Sequence, residues 1–152
     1  MRARQGMTRP QTVLAFDFGL KRIGIAGGDT LTRQATARAA AAVHGGTPDW
    51  QAIAREVRAL TPAVLIVGAP YNADGSEGTL LARARRFAAE LERRFALPVQ
   101  LVDERFSALE ASEALKARRA GGARGRIARA DIDSAAAAVI LGRWFQGEGE
   151  GT

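Results

Sequence analysis

Three acidic residues carry the chemistry that this chain could perform: Asp17, Glu104 and Asp133. Asp17 ends the apolar run Val13-Leu14-Ala15-Phe16, where a carboxylate is costly to bury unless a cation or metal stands opposite it. Taken alone, it reads equally well as a cap on the turn that follows. Glu104 comes just after a second apolar run, Val99-Gln100-Leu101-Val102. Asp133 shares a helical stripe with Ala136, Ala137, Ile140, Leu141 and Trp144, whereas Asp131 is rotated from it by roughly 200 degrees and is expected to cap the helix. The run Ala135-Ala136-Ala137-Ala138 lets that helix approach a neighbour closely.

Three converging carboxylates repel one another, and without a counter-charge at least one takes up a proton. Bound Mg²⁺ or Mn²⁺ resolves the conflict, because all-oxygen ligation favours a hard ion. The matching reaction is two-metal hydrolysis of a phosphodiester, one ion activating the attacking water and the other stabilising the leaving oxygen. Such chemistry needs no side-chain nucleophile. The chain has no cysteine and a single histidine, His44 in the loop Val43-His44-Gly45-Gly46-Thr47, which reads as solvated surface.

The charge pattern points the same way. Lys and Arg number 22 against 16 Asp and Glu, a net charge of +6 that favours polyanionic partners. All but Lys21 and Lys116 are arginine, which grips phosphate bidentately. Lys21 and Arg22 follow Asp17, and Arg105 follows Glu104. The acid-free stretch from Lys116 to Arg129 is broken by glycines, and it reads as a mobile cationic loop offering Arg118, Arg119, Arg124, Arg126 and Arg129 to a phosphate backbone. In the turn-rich loop Gly68 to Gly78, Asn72 and Ser76 are candidates for holding phosphate beside backbone amides. No run approaches the roughly 20 apolar residues of a membrane span, and the basic N-terminus lacks a secretory apolar segment, so a cytoplasmic location is expected.

These residues must be positioned by one domain, expected over 11–146, with flexible ends at 1–10 and 147–152. Residues 12–18 and 22–27 read as a hairpin with Gly19 and Gly24 at its turn, and a weaker third strand falls within Gln34 to Val43. Thr47 as cap, Pro48 at the first helical position and Asp49 in the first turn predict a helix to about Leu60. A strand over 63–67, an amphipathic helix over 79–95 and a strand over 98–102 follow. Ser107 and Glu110 have capping-box spacing for a helix to about Arg119, and a last helix runs from near Asp131 to near Gln146. The order predicts a five-stranded mixed sheet, three antiparallel strands then two parallel, with helices on both faces. That is the ribonuclease H-like α/β arrangement. It puts Asp17 and Glu104 together at the carboxyl ends of strands, where clefts form.

The motifs also carry a family resemblance. Leu14-Ala15-Phe16-Asp17-Phe18-Gly19 with Arg22-Ile23-Gly24-Ile25-Ala26, Gly45-Gly46-Thr47-Pro48-Asp49-Trp50, Val67 to Gly78, Asp103-Glu104-Arg105-Phe106-Ser107, and Asp133-Ser134-Ala135-Ala136 occur in order along nearly the whole chain. Together they resemble the YqgF family, also called RuvX, of Holliday junction resolvase-like proteins. The resemblance implies a ribonuclease H-like, metal-dependent nuclease acting on structured RNA in 5′-end maturation of pre-16S ribosomal RNA. Its acidic positions fall on Asp17, Glu104 and Asp133. Ala108 departs from a threonine common in the family, and no carboxylate closes the fourth strand at Gly68-Ala69-Pro70, unlike the better-known resolvases.

Other readings use the same residues. Cleavage of Holliday junctions, a branched DNA, would call for a homodimer to cut paired strands symmetrically. A non-catalytic nucleic-acid-binding module would use the basic surface alone. The Asp-Phe-Gly turn also resembles the phosphate-binding turn of actin-like kinases, which need a second copy of the domain that 152 residues cannot hold.

Overall fold

Val13, Leu14, Ala15 and Phe16 are wholly removed from solvent, as four consecutive apolar residues must be when a strand is covered on both faces. The computed structural model of the chain describes residues 9–69, 79–103 and 129–151. In chain order its elements are β1 (Thr12–Asp17), β2 (Arg22–Asp29), β3 (Ala35–His44), β4 (Thr47–Pro48), α1 (Trp50–Leu60), β5 (Val64–Ala69), α2 (Thr79–Phe95), β6 (Val99–Asp103) and α3 (Arg129–Gly151). The strands form one sheet in the order β4-β3-β2-β1-β5-β6. The β1–β2, β2–β3 and β3–β4 pairs are antiparallel, and β5 and β6 run parallel to β1.

This is the expected mixed sheet of ribonuclease H-like topology, with six strands in place of five. The extra strand revises the reading of Thr47 and Pro48. Gly45 and Gly46 both have positive φ, 57° and 82°, the requirement of a two-residue hairpin turn that lets Thr47 pair with His44. His44 is therefore the exposed last residue of β3 and not a loop residue. The cap passes to Asp49, whose carboxylate accepts from the Ala52 amide at 3.1 Å. A proline and a threonine with good helix-start chemistry lose to a hairpin that their preceding glycines close.

The two faces of the sheet bury different elements. Leu14, Phe16, Ile25, Leu65 and Val67 point to one face, where Ile53 of α1 and Ala84, Phe87 and Leu91 of α2 cover them. Val13, Ala15, Ala26, Val64 and Ile66 point to the other and meet Ala137, Ile140, Leu141 and Phe145 of α3. The period-2 alternation of β1 thus sorts its side chains between two helical layers. Helix α3 begins at Arg129, before the expected start, so Arg129 opens a helix and position 131 is helical, not its cap. At its other end the helix continues past Gln146 to Gly151, each added residue contributing a backbone hydrogen bond that offsets the low propensity of Gly147 and Gly149. The helix expected over 107–119 lies outside the described residues. Among those described, no helix is long and apolar enough to cross a membrane.

Phe87 is the hub of the α1–α2 face. Its ring stands 5.6 Å from that of Phe16, 5.4 Å from that of Phe18 and 5.5 Å from that of Trp50. Phe87→Ala is expected to lower the free energy of unfolding by about 3–5 kcal/mol, read by urea denaturation.

Candidate active site at the carboxyl edge of the sheet

Asp17 is the last residue of β1 and shares the parity of Val13 and Ala15, so it belongs to the α3 face. It is only partly buried, because it stands where the helical cover ends. Its register partners are Gly24 on β2 and Gly68 on β5. Directly opposed residues share a face, so neither register partner sets a side chain beside the carboxylate. The turn after it is tight. A Cβ on Gly19 would lie 2.5 Å from the Arg22 carbonyl oxygen, a contact only glycine avoids. That close approach carries the exposed Lys21 and the half-buried Arg22 alongside Asp17, and the Lys21 carbonyl is held by the Val43 amide at 2.9 Å.

Helix α3 runs antiparallel to β1. At its carboxyl end the Phe145 carbonyl accepts from the Arg33 guanidinium, and the Phe145 ring packs against Gly28, the partner of Val13 at the start of β1. Toward its amino end, Ser134 is 1% exposed and bridges two strands. Its hydroxyl accepts from the Ile25 amide at 3.3 Å and donates to the Arg38 carbonyl at 2.5 Å. Ile25 faces Arg38 beside an irregularity in the β2–β3 register, where the ladder is locally disrupted and backbone groups need another partner. Ile25 is also the partner of Phe16, the residue before Asp17. The amino end of α3, with the backbone of position 133, therefore lies at the edge of the sheet that carries Asp17.

Ser134 is the residue that the sequence reading missed. Its signal was a lone hydroxyl amid alanines on the packed stripe, next to the acid already singled out. Of the three acids, Asp17 is described in full. Glu104, which follows the last residue of β6, and the side chain of Asp133 lie outside the described residues. So do Asn72, Ser76, Arg105, Arg118, Arg119, Arg124 and Arg126. Among the described residues no group of three His, Cys, Asp or Glu side chains could hold a metal ion. What is described fits a hard cation: a carboxylate oxygen donor flanked by glycines, in a chain without thiols. The amino end of a long helix at the same edge adds a partial positive charge that favours carboxylate or phosphate nearby.

Residues 11–147 match the RuvX family, described as Holliday junction resolvase. The chain is 44% identical over 135 residues to proteins of Yersinia pestis and Yersinia pseudotuberculosis, each named "Putative pre-16S rRNA nuclease", with 89% of this chain and 94% of each relative covered. Among solved structures, its fold is similar to that of Thermus thermophilus RuvC in complex with a Holliday junction substrate, at a TM-score of 0.53 and 18% identity, covering 92% of this chain and 96% of that one. The fowlpox virus resolvase, solved with Holliday junction DNA, matches at a TM-score of 0.55 and 14% identity, covering 90% and 98%. These distant likenesses establish the ribonuclease H-like fold.

Replacing Ser134 by Ala leaves the Ile25 amide and the Arg38 carbonyl without that bridge. The expected cost is about 1–3 kcal/mol of unfolding free energy, measured by thermal and urea denaturation.

Proposed function

The chain belongs to the RuvX family of Holliday junction resolvases, and from that membership we propose that it is a divalent-metal-dependent nuclease of structured RNA, acting in 5′-end processing of pre-16S ribosomal RNA. The observation that carries this reading is Asp17, set between Gly24 and Gly68 where β1 emerges from its cover, at the same edge as the amino end of α3. Asp17, Glu104 and Asp133 would hold Mg²⁺ or Mn²⁺. When bound, the ions supply charge for the attacking and leaving oxygens of the phosphodiester.

The remaining work falls to the chain itself. Asp17 provides a carboxylate carried on a fixed backbone, since β1 is hydrogen-bonded on both sides and buried on both faces up to Phe16. Gly24 and Gly68 leave a scissile phosphate room to approach it. Lys21 and Arg22 stand next to that phosphate in the turn that Gly19 makes possible, with Asn72, Ser76, Arg105, Arg118, Arg119, Arg124, Arg126 and Arg129 assigned to the flanking backbone. RNA as substrate is supported by the name of the 44%-identical relatives. Cleavage of branched DNA by a homodimer is the second reading, favoured by the family's description.

The test offers full-length protein a pre-16S RNA and a four-way DNA junction, each with Mg²⁺ or Mn²⁺. RNA cleavage is expected, lost on chelation and reduced at least about 100-fold by Asp17→Asn, equivalent to roughly 3 kcal/mol of transition-state stabilisation. RNA binding by that variant should persist and weaken steeply with salt. Cutting of the junction alone would transfer the assignment to DNA, and metal-independent binding without cleavage would make the domain a binding module.

A further inference from the structure

Phe18, the neighbour of Asp17, turns to the opposite face of the sheet and lines a groove that the nuclease reading leaves unused. The groove encloses about 320 Å³ between the β3–β4 turn and α2. It continues into a second hollow of about 480 Å³ beside the exposed Leu20, the two sharing Gly46 and Arg83. Its floor is aromatic and stiff: Trp50 stacks on Phe87 at an interplanar angle of 28°, and the Arg94 guanidinium sits 4.3 Å from the centroid of the Trp50 ring. Its wall is cationic. Arg83 and Arg86 lie on the exposed side of α2, one helical turn apart.

Among the described residues, the one acid lining the groove is already engaged. Glu90 accepts from Arg93 and from Arg94, the latter at 2.7 Å, and the Arg93 hydrogen bond first, then that of Arg94, hold its carboxyl below the usual carboxylate range. Among the described residues, neither Arg83 nor Arg86 has a carboxylate partner. A paired arginine and an aromatic floor would be ordinary surface. Two guanidinium groups with no carboxylate partner among the described residues, above an aromatic hollow in a chain of net charge +6, instead call for an anion with a flat apolar part.

We propose that this groove is a second nucleic-acid contact, taking unpaired nucleotides that flank the phosphodiester at Asp17, with Arg83 and Arg86 on backbone phosphates and the Trp50 floor against base or ribose. The proposal rests on the nuclease reading for the position of the scissile bond. A chain crossing the carboxyl edge passes from Asp17 on one face to Phe18 on the other, so a single strand reaches both sites by rounding the end of β1. The bases of a duplex are stacked on one another and cannot reach the aromatic floor, whereas a single strand can present them.

The experiment measures binding to an RNA hairpin with and without a short unpaired extension, in chelator so that cleavage does not intervene. Wild type should favour the extended RNA by about tenfold. The double variant Arg83→Gln/Arg86→Gln should lose that preference, and its dependence of log K on log salt should flatten by about 1.4, from roughly 0.7 per phosphate on single strands. Arg58→Gln, an equal charge change on the exposed side of α1, should leave the preference intact. Equal binding of both RNAs by wild type, or a preference kept by the double variant, would overturn the proposal. So would affinity for a poly-glutamate peptide that disappears in the double variant while RNA binding stays. Loss of the extension preference supports the groove even if wild type cleaves no RNA under any metal, in which case the failure falls on the nuclease reading alone.

Discussion

A carboxylate cannot ride on a strand covered on both faces except where the cover stops. That constraint organises this protein. Strand β1 lies at the centre of the sheet, with β2 on one side and β5 on the other, and its residues from Val13 to Phe16 are fully buried. Its single charge comes at the last position. The desolvation that would make an acid ruinous one or two residues earlier is relieved at the edge, and the surroundings there are arranged to keep space around it: glycines across both strands and a glycine turn beyond.

The helical layers then divide the labour. Helices α1 and α2 build an aromatic core under one face, centred on Phe87, which gives β1 a rigid backing. Helix α3 closes the other face with Ala137, Ile140, Leu141 and Phe145, and its amino end is set by a hydrogen-bonded hydroxyl and not by apolar packing alone. Hydrophobic contact is non-directional and would tolerate a helix sliding along the sheet. A buried serine bonded to a donor on β2 and an acceptor on β3 does not tolerate it, because a shift leaves two backbone groups unpaired in a dry interior. Ser134 is thus the register pin for the residue just before it, Asp133.

Much of this was legible in the chain. The strand runs at Val13 to Phe16 and at Val64 to Val67 are readable by composition, since a short unbroken apolar run bounded by turn residues is typical of a strand covered on two faces. The helix over Thr79–Phe95 was readable to the residue because Leu80, Phe87, Leu91 and Phe95 keep the 3.6 period. Where the reading failed, two local rules competed. Thr47-Pro48-Asp49 has the chemistry of a helix start, but Gly45-Gly46 has the chemistry of a hairpin, and hydrogen bonding to the already formed β3 decided between them. Helix α3 starts at Arg129, ahead of the start expected near Asp131, because a basic stretch broken by glycines carries no local signal of a helix onset.

By itself the sequence determined which residues are acidic, apolar or basic, the order of the described elements other than β4, and that Asp17 ends a strand, because periodicity and turn chemistry are local. The tertiary structure alone decided that Asp17 shares a face with α3 while Phe18 faces α2, that the amino end of α3 reaches the same edge, and that Ser134 bridges β2 and β3. Those relations join residues as far apart as Ile25 and Ser134, and they arise from strand pairing and helix packing, whose register no single stretch of chain encodes.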